Sequence, residues 1–154
     1  MGELAVSLAE EVELLKKIPL FENIEVSKLK LLAFTSERVV FSAGQTVFEQ
    51  DEMGNAAYII ISGEADVVVK TPAGPKTIAT VAKNDFVGEI AILCDVPRTA
   101  TIRAKTDLTT LMISKDLFFR MVTEFPQMAV EIMRVLAHRL ERTTKAAAMD
   151  QEGS

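Results

Sequence analysis

Leu4, Leu8, Val12, Leu15 and Ile18 recur at spacings of three or four, with Glu3, Glu10, Glu11 and Glu13 at other angular positions. That pattern predicts an amphipathic helix interrupted at Pro19. Ser27, just ahead of the apolar-rich stretch from Lys28 to Phe34, is placed to cap a second short helix. Glu22, Asn23 and Glu25 leave its first residue open. Both helices are expected to pack on a following sheet rather than to serve as independent partner-binding helices.

From Arg38 the pattern shortens. Apolar, β-branched pieces begin at Arg38, Thr46, Ala56, Ala65 and Lys76, separated by turn-forming stretches such as Ser42-Ala43-Gly44 and Asp51 to Asn55. Val, Ile and Thr favour pleated packing, while Gly, Pro, Asn and Asp allow tight reversals. Two further pieces follow Pro97, from Thr99 to Ala104 and from Leu108 to Ser114, divided at Thr106-Asp107. Many short strands bounded by turns predict an antiparallel sandwich or jelly roll, not alternating strands and crossover helices.

Between these groups, Gly88 followed by Glu89, Ile90, Ala91, Ile92 and Leu93 predicts a short helix that Pro97 stops. Ser114 is a candidate cap for a helix from Lys115 to Phe125, and Pro126 marks a break or fresh start. Ala129, Ile132, Met133, Leu136 and Leu140 then form an apolar stripe beside Glu131, Arg134, Arg139, Glu141 and Arg142. The short polar end after Ala148 is expected to fray.

The 154 residues suit one ordinary domain, and 49% are hydrophobic, enough for a single core without metal or disulfide staples. Cys94 is the single cysteine, which excludes an intrachain disulfide and fits a reducing, cytoplasmic setting. A formal charge of −5 makes the whole chain a poor general binder of polyanions, yet the walls of a pocket can still be locally basic. Neither a secretion signal nor a run long enough to span a bilayer is visible, so no membrane insertion is expected.

The segment from Phe86 to Thr101, with Gly88, Glu89, Arg98, Thr99 and Ala100, closely resembles the phosphate-binding cassette of cyclic nucleotide-binding domains. These are the sensory domains of the catabolite activator protein, cyclic nucleotide-dependent kinases and cyclic nucleotide-gated channels. Ala43 to Phe48 and Tyr58 to Ala65 are similar to the family's early strand-turn signatures, and the order of elements from about Leu14 to Leu140 matches its architecture. The resemblance implies a mainly β fold with flanking helices: an antiparallel β jelly roll, or double-stranded β-helix, containing a short phosphate-binding helix. It implies a helical segment over 1–35, a β-roll over 36–114, hinge and lid helices over 115–145 and a flexible tail over 146–154.

The chemistry of the cassette can be read beside that resemblance. Gly88 permits close chain approach, the free amides of a short helix can donate to phosphate, and Arg98 can add directional charge-assisted bonds. Glu89 opposes a bare phosphate but suits a ligand that also presents a sugar hydroxyl. The family implies that Glu89 accepts the ribose 2′-hydroxyl, Arg98 meets the cyclic phosphate, and Gly88, Ile90, Ala91 and Ala100 contribute backbone groups. Thr99 is implied to lie near both phosphate and purine. Taken singly, each residue has a plainer reading: Gly88 as a turn, Glu89 with Arg98 as a surface ion pair, Thr99 and Thr101 as ordinary strand residues. Cys94 reads as an apolar packing residue rather than a nucleophile, and Tyr58 with the isoleucines after it as core.

The implied ligand is cAMP or cGMP, with cAMP favoured, and no other cofactor or metal is implied. The final helix is expected to close over the site, although permanent core packing gives the same periodicity. Arg134, Arg139 and Arg142 read as solvated helix residues or as cations near the purine or a partner. His138, the single histidine, suits a local pair better than a nucleotide contact or a metal centre. The expected partners are the cyclic nucleotide and a regulated effector protein or domain. Direct DNA binding is not expected, because too little sequence follows for a helix-turn-helix; the oligomeric state is open. A non-catalytic sensor is therefore expected. The alternatives are a cassette-bearing interaction domain without ligand affinity, or a small sandwich enzyme.

Overall fold

The computed structural model describes residues 8–18, 21–22, 24–134 and 136–138. Along the chain run α1 (Leu8–Lys16), α2 (Val26–Thr35), β1 (Glu37–Phe41), β2 (Thr46–Phe48), β3 (Ala56–Ser62) and β4 (Ala65–Thr71). They are followed by β5 (Gly74–Val81), β6 (Phe86–Val87), α3 (Glu89–Cys94), β7 (Thr101–Ala104), β8 (Leu108–Ser114) and α4 (Lys115–Glu124). Residues 126–134 and 136–138 are also helical.

The strands form two four-stranded sheets, ordered β1-β8-β3-β6 and β2-β7-β4-β5, and every pairing between them is antiparallel. This is the jelly roll with flanking helices that the resemblance implied, one of the two antiparallel arrangements left open by the strand pattern. Ile60, Val87 and Leu108 of the first sheet meet Ala65, Ile102 and Ala104 of the second, so the inner core lies between the sheets. The opposite face of the first sheet offers Ala57, Ile59, Ile61, Phe86, Leu111 and Ile113. Over that face lie Val12 and Leu15 of α1, Leu29 and Leu32 of α2, Phe118 and Met121 of α4, and Met128 and Ile132 beyond it.

β3 is thus covered on both faces, which is why Ala56 to Ile61 read as a continuous apolar run instead of an alternating one. β5 is the contrast. It is an edge strand, exposed along most of its length and carrying Pro75 and Lys76, features that discourage pairing with another chain. Phe86 and Val87, where the cassette starts, form the two-residue strand β6, and pairing of Phe86 with Ile59 and of Val87 with Tyr58 makes it part of the sheet.

The helix ends show where local signals win and where they lose. Ser114 caps α4, its hydroxyl accepting from the Leu117 amide at 3.2 Å. Ser27 does not cap α2. The amides of Lys28 and Leu29 both donate to the Glu25 carbonyl at 3.0 Å, so the first turn closes on Glu25 and Ser27 falls inside the helix. Pro126 begins a new helical stretch after Phe125 ends α4, where its missing N–H costs nothing. On that stretch the buried side chains are Met128 and Ile132, whereas Met133, expected on the apolar stripe, is 61% exposed. Glu3, Leu4, Pro19, Asn23, Arg139, Leu140, Glu141, Arg142 and the tail lie outside the described residues.

Candidate functional site

Gly88 joins β6 to α3 with φ +85° and ψ 2°, a left-handed conformation that side-chain-bearing residues avoid. A Cβ here would stand 2.6 Å from Arg98 Nη1, 3.2 Å from the Phe48 ring and 3.3 Å from the Ala56 carbonyl oxygen. The glycine therefore supplies both a turn and a close approach. After it, Ile92 is fully buried in the core under the helices and Ala91 is buried beside it, which fixes the six-residue α3 against the sheet. The helix stops before Pro97 can stop it: Asp95 turns left-handed at φ 54° and its N–H returns to the Ala91 carbonyl.

Arg98 is fixed first through its backbone. Its N–H donates to the Glu52 carbonyl at 2.7 Å, and its carbonyl accepts from the Asp51 N–H at 2.8 Å. Met53 bridges to Pro97, and the Gln50 N–H donates to Thr101 Oγ1 at 2.9 Å. The loop after β2 is laced to the strand entering β7. The Arg98 side chain then turns inward and is only 5% exposed. Nη1 donates to the Gly88 carbonyl at 3.0 Å and Nη2 to the Ala56 carbonyl at 2.7 Å, while Cζ lies 4.0 Å above the Phe48 ring centroid. Gly54 lies alongside; a Cβ there would overlap Arg98 Cζ and Nε.

Burial pulls the Arg98 guanidinium down from its ordinary value, opposed by Tyr58, Glu52 and Glu89. It remains a cation at neutral pH, because arginine starts so high. A guanidinium carries five N–H donors, so the two bonds to carbonyls leave others for an anion. Glu89 is 3% exposed and acts electrostatically on Arg98, so the two are not the surface pair that sequence alone allowed.

Gly88, Glu89 and Arg98, separated by up to ten positions, therefore converge at the start of α3. Ala91 is buried on the helix, Ala100 is half-buried, and Ile90 and Thr99 are exposed. Phe48, Glu52, Gly54 and the Ala56 carbonyl were not anticipated as parts of this arrangement. Gly54, in the turn from Asp51 to Asn55, carried a signal, since an isolated glycine can mark a close approach; Phe48 read as an ordinary strand residue. Cys94 departs from expectation, being exposed at the end of α3 rather than packed in the core. Arg134, itself exposed, pairs at 2.7 Å with the half-buried Glu131, in line with the solvated reading. His138 is exposed.

Tyr58 is half-buried, with its ring centroid 6.2 Å from Phe41 and 6.0 Å from Phe48. Burial raises its pKa above the ordinary 10.0; Arg98 opposes the rise and Glu37 adds to it. A phenol whose pKa is higher folded than unfolded contributes stability below its unfolded value, and that contribution is lost as pH rises through the folded value. Tyr58→Phe is accordingly expected to flatten the decline in stability above about pH 10, read from urea denaturation between about pH 8 and 11. An identical alkaline decline in wild type and variant would contradict the assignment.

Among the described residues, no group of three or more His, Cys, Asp or Glu side chains is placed to hold a metal ion, and no helix is long and apolar enough to cross a membrane.

Comparison with known proteins places this geometry in context. Over 137 residues the chain is 31% identical to a CRP-like cAMP-activated global transcriptional regulator of Mycobacterium tuberculosis, covering 88% of this chain and 61% of the relative. It is 36% identical over 108 residues to a cAMP-dependent protein kinase regulatory subunit of Yarrowia lipolytica, covering 70% of this chain and 28% of that protein. The chain thus spans less than two thirds of the length of either relative. The crystal structure of the Thermus thermophilus catabolite activator protein shares the fold, with a TM-score of 0.78 at 23% identity over 85% of this chain and 62% of that one. Residues 38–125, more than half of the chain and all of the segment built around Gly88 and Arg98, match the family model of the cyclic nucleotide-binding domain, and to that family the chain belongs.

Proposed function

We propose that the chain reversibly binds a purine 3′,5′-cyclic nucleotide, with cAMP preferred over cGMP, and acts as a non-catalytic regulatory module. The observation that carries this reading is the buried Arg98 guanidinium, held by the Gly88 and Ala56 carbonyls at the start of α3 with buried Glu89 acting on it. The cation supplies charge-assisted bonds to a phosphate. Glu89 repels a bare phosphate and accepts from a hydroxyl, so the pair suits a ligand that presents a single negative charge beside a sugar. Backbone groups of Gly88, Ile90, Ala91 and Ala100 complete the phosphate contacts, Glu89 takes the ribose 2′-hydroxyl, and Thr99 faces the purine side. The preference for cAMP is supported by the two relatives, one named as cAMP-activated and the other as cAMP-dependent.

Output travels through the C-terminal helices. The Lys115 amide donates to the Asn55 carbonyl at 2.7 Å and its ammonium pairs with Asp95 at 3.2 Å, so the first residue of α4 touches both the Arg98-bracing loop and the end of α3. Ile92 of α3 shares its core with Met128 and Ile132. A shift of α3 on ligand capture therefore repacks the surface under the last helix and draws it toward the site. The relatives are a transcriptional regulator and a kinase regulatory subunit, and an effector of either class fits such a module.

Calorimetric titration of nucleotide-stripped protein with cAMP and cGMP at equal salt tests this reading. Both are expected to bind, cAMP more tightly, without hydrolysis. Glu89→Ala is expected to weaken binding by removing ribose recognition, and hydrogen exchange is expected to show ligand-dependent protection over residues 129–134. Absence of binding overturns the reading. A preference for cGMP beyond about tenfold, about 1.4 kcal/mol, overturns the order of ligands, and protection confined to residues 88–101 overturns the output.

A further inference from the structure

We propose that Phe48 is a positioning residue for Arg98, its ring fixing the plane in which the guanidinium meets a phosphate; this rests on the reading of Arg98 given above. Phe48 closes β2 where the pairing with β7 shifts register between Thr46 and Phe48, an irregularity of the kind that re-aims a side chain. Its ring lies under Arg98 Cζ at 4.0 Å. Behind it, Phe48 leans on Tyr58 with centroids 6.0 Å apart at 35°, and Tyr58 meets Phe41 edge-on at 6.2 Å and 71°. The platform is thereby backed by two further half-buried rings that pack against the inner core.

The two hydrogen bonds from Arg98 to the Gly88 and Ala56 carbonyls pin one edge of the guanidinium but do not by themselves set its tilt about that edge. A flat ring against one face does, because a planar guanidinium stacks on the negative face of an aromatic ring. The space is shared closely: a Cβ on Gly88 would reach within 3.2 Å of Phe48 as well as 2.6 Å of Arg98 Nη1. An aliphatic side chain at position 48 fills the volume and leaves the tilt free. The requirement is therefore for an aromatic ring, not merely for apolar bulk.

The test compares Phe48→Leu with Phe48→Tyr, alone and with Arg98→Lys, by calorimetry with cAMP and by NMR of the Arg98 Nε–H in ligand-free protein. Phe48→Leu is expected to weaken cAMP binding about tenfold, and Phe48→Tyr to stay within about threefold of wild type. In the Arg98→Lys background, Phe48→Leu is expected to add less than about twofold, because the group it orients is gone. The Arg98 signal is expected to carry a ring-current shift in wild type and Phe48→Tyr that disappears in Phe48→Leu. Undiminished affinity of Phe48→Leu, an equal loss in both Arg98 backgrounds, or an Arg98 signal indifferent to Phe48 overturns the inference. If wild type binds neither cyclic nucleotide while the Arg98 signal still depends on Phe48, the ligand reading fails and the orientation of Arg98 by Phe48 stands.

Discussion

Arg98→Ala is expected to lower affinity for cAMP by at least about thirtyfold, about 2 kcal/mol, because it removes the charge-assisted bonds to phosphate and leaves the bound anion without a cation. The same change removes the donors to the Gly88 and Ala56 carbonyls, so some loss of stability accompanies it. Each buried carbonyl left unpaired costs about 1–3 kcal/mol, partly offset because a buried charge also disappears. Arg98→Lys separates the two effects. An ammonium keeps the charge but lacks the flat fork that reaches both carbonyls and an anion at once, so affinity should still fall about tenfold or more. Thermal denaturation of each variant alongside calorimetry checks that the loss belongs to the site. Wild-type affinity in a folded Arg98→Ala protein would remove Arg98 from the site altogether.

Gly88→Val should be the most damaging single change to both fold and site. The φ of +85° is one that a β-branched residue adopts only under strain, at about 1–3 kcal/mol. The added Cβ also meets Arg98 Nη1 at 2.6 Å, the Phe48 ring at 3.2 Å and the Ala56 oxygen at 3.3 Å. Arg98 can swing away only by giving up its bond to the Gly88 carbonyl, and the Ala56 oxygen is backbone at the start of β3, where the strand pairs with β8. A combined loss of about 3 kcal/mol or more in stability is expected, with affinity falling in parallel. Gly44→Val is the matched control: φ is +91° there, but nothing lies within 4 Å of the new Cβ. It should carry the backbone cost alone, about 1–3 kcal/mol, and leave cAMP affinity unchanged. Equal behaviour of the two glycine variants in urea denaturation and titration would show that close approach at Gly88 has no role.

What the chain determines by itself is whatever depends on neighbours in sequence. Short β-branched runs between turn residues specified the strands, because alternation and turn chemistry act over a few residues. Ser114 could be assigned as a cap because a cap bond spans three positions. Gly88 and Arg98 were legible as a pair through the resemblance of the whole cassette, whereas taken singly Gly88 reads as a turn and Glu89 with Arg98 as a surface ion pair. Ser27 misled because capping strength is a local preference, and the carbonyl that closed the first turn of α2 belonged to Glu25.

What only the tertiary structure decided is which distant groups surround one atom. Phe48, Glu52, Gly54 and Ala56 lie more than 40 residues before Arg98; the glycine at 54 marks a close approach without naming what approaches, and nothing in the local pattern of the other three distinguishes them from strand and turn residues. They reach Arg98 because the loop after β2 is laced to the strand entering β7 and because β2 and β7 pair in the second sheet. The choice of Met128 over Met133 as a buried side chain has the same origin. Both are apolar on one helix, and the fully buried position is the one facing the core shared by α1, α2 and the first sheet. Burial is a property of what covers a residue, and for a side chain on a helix or loop that cover comes from another part of the chain.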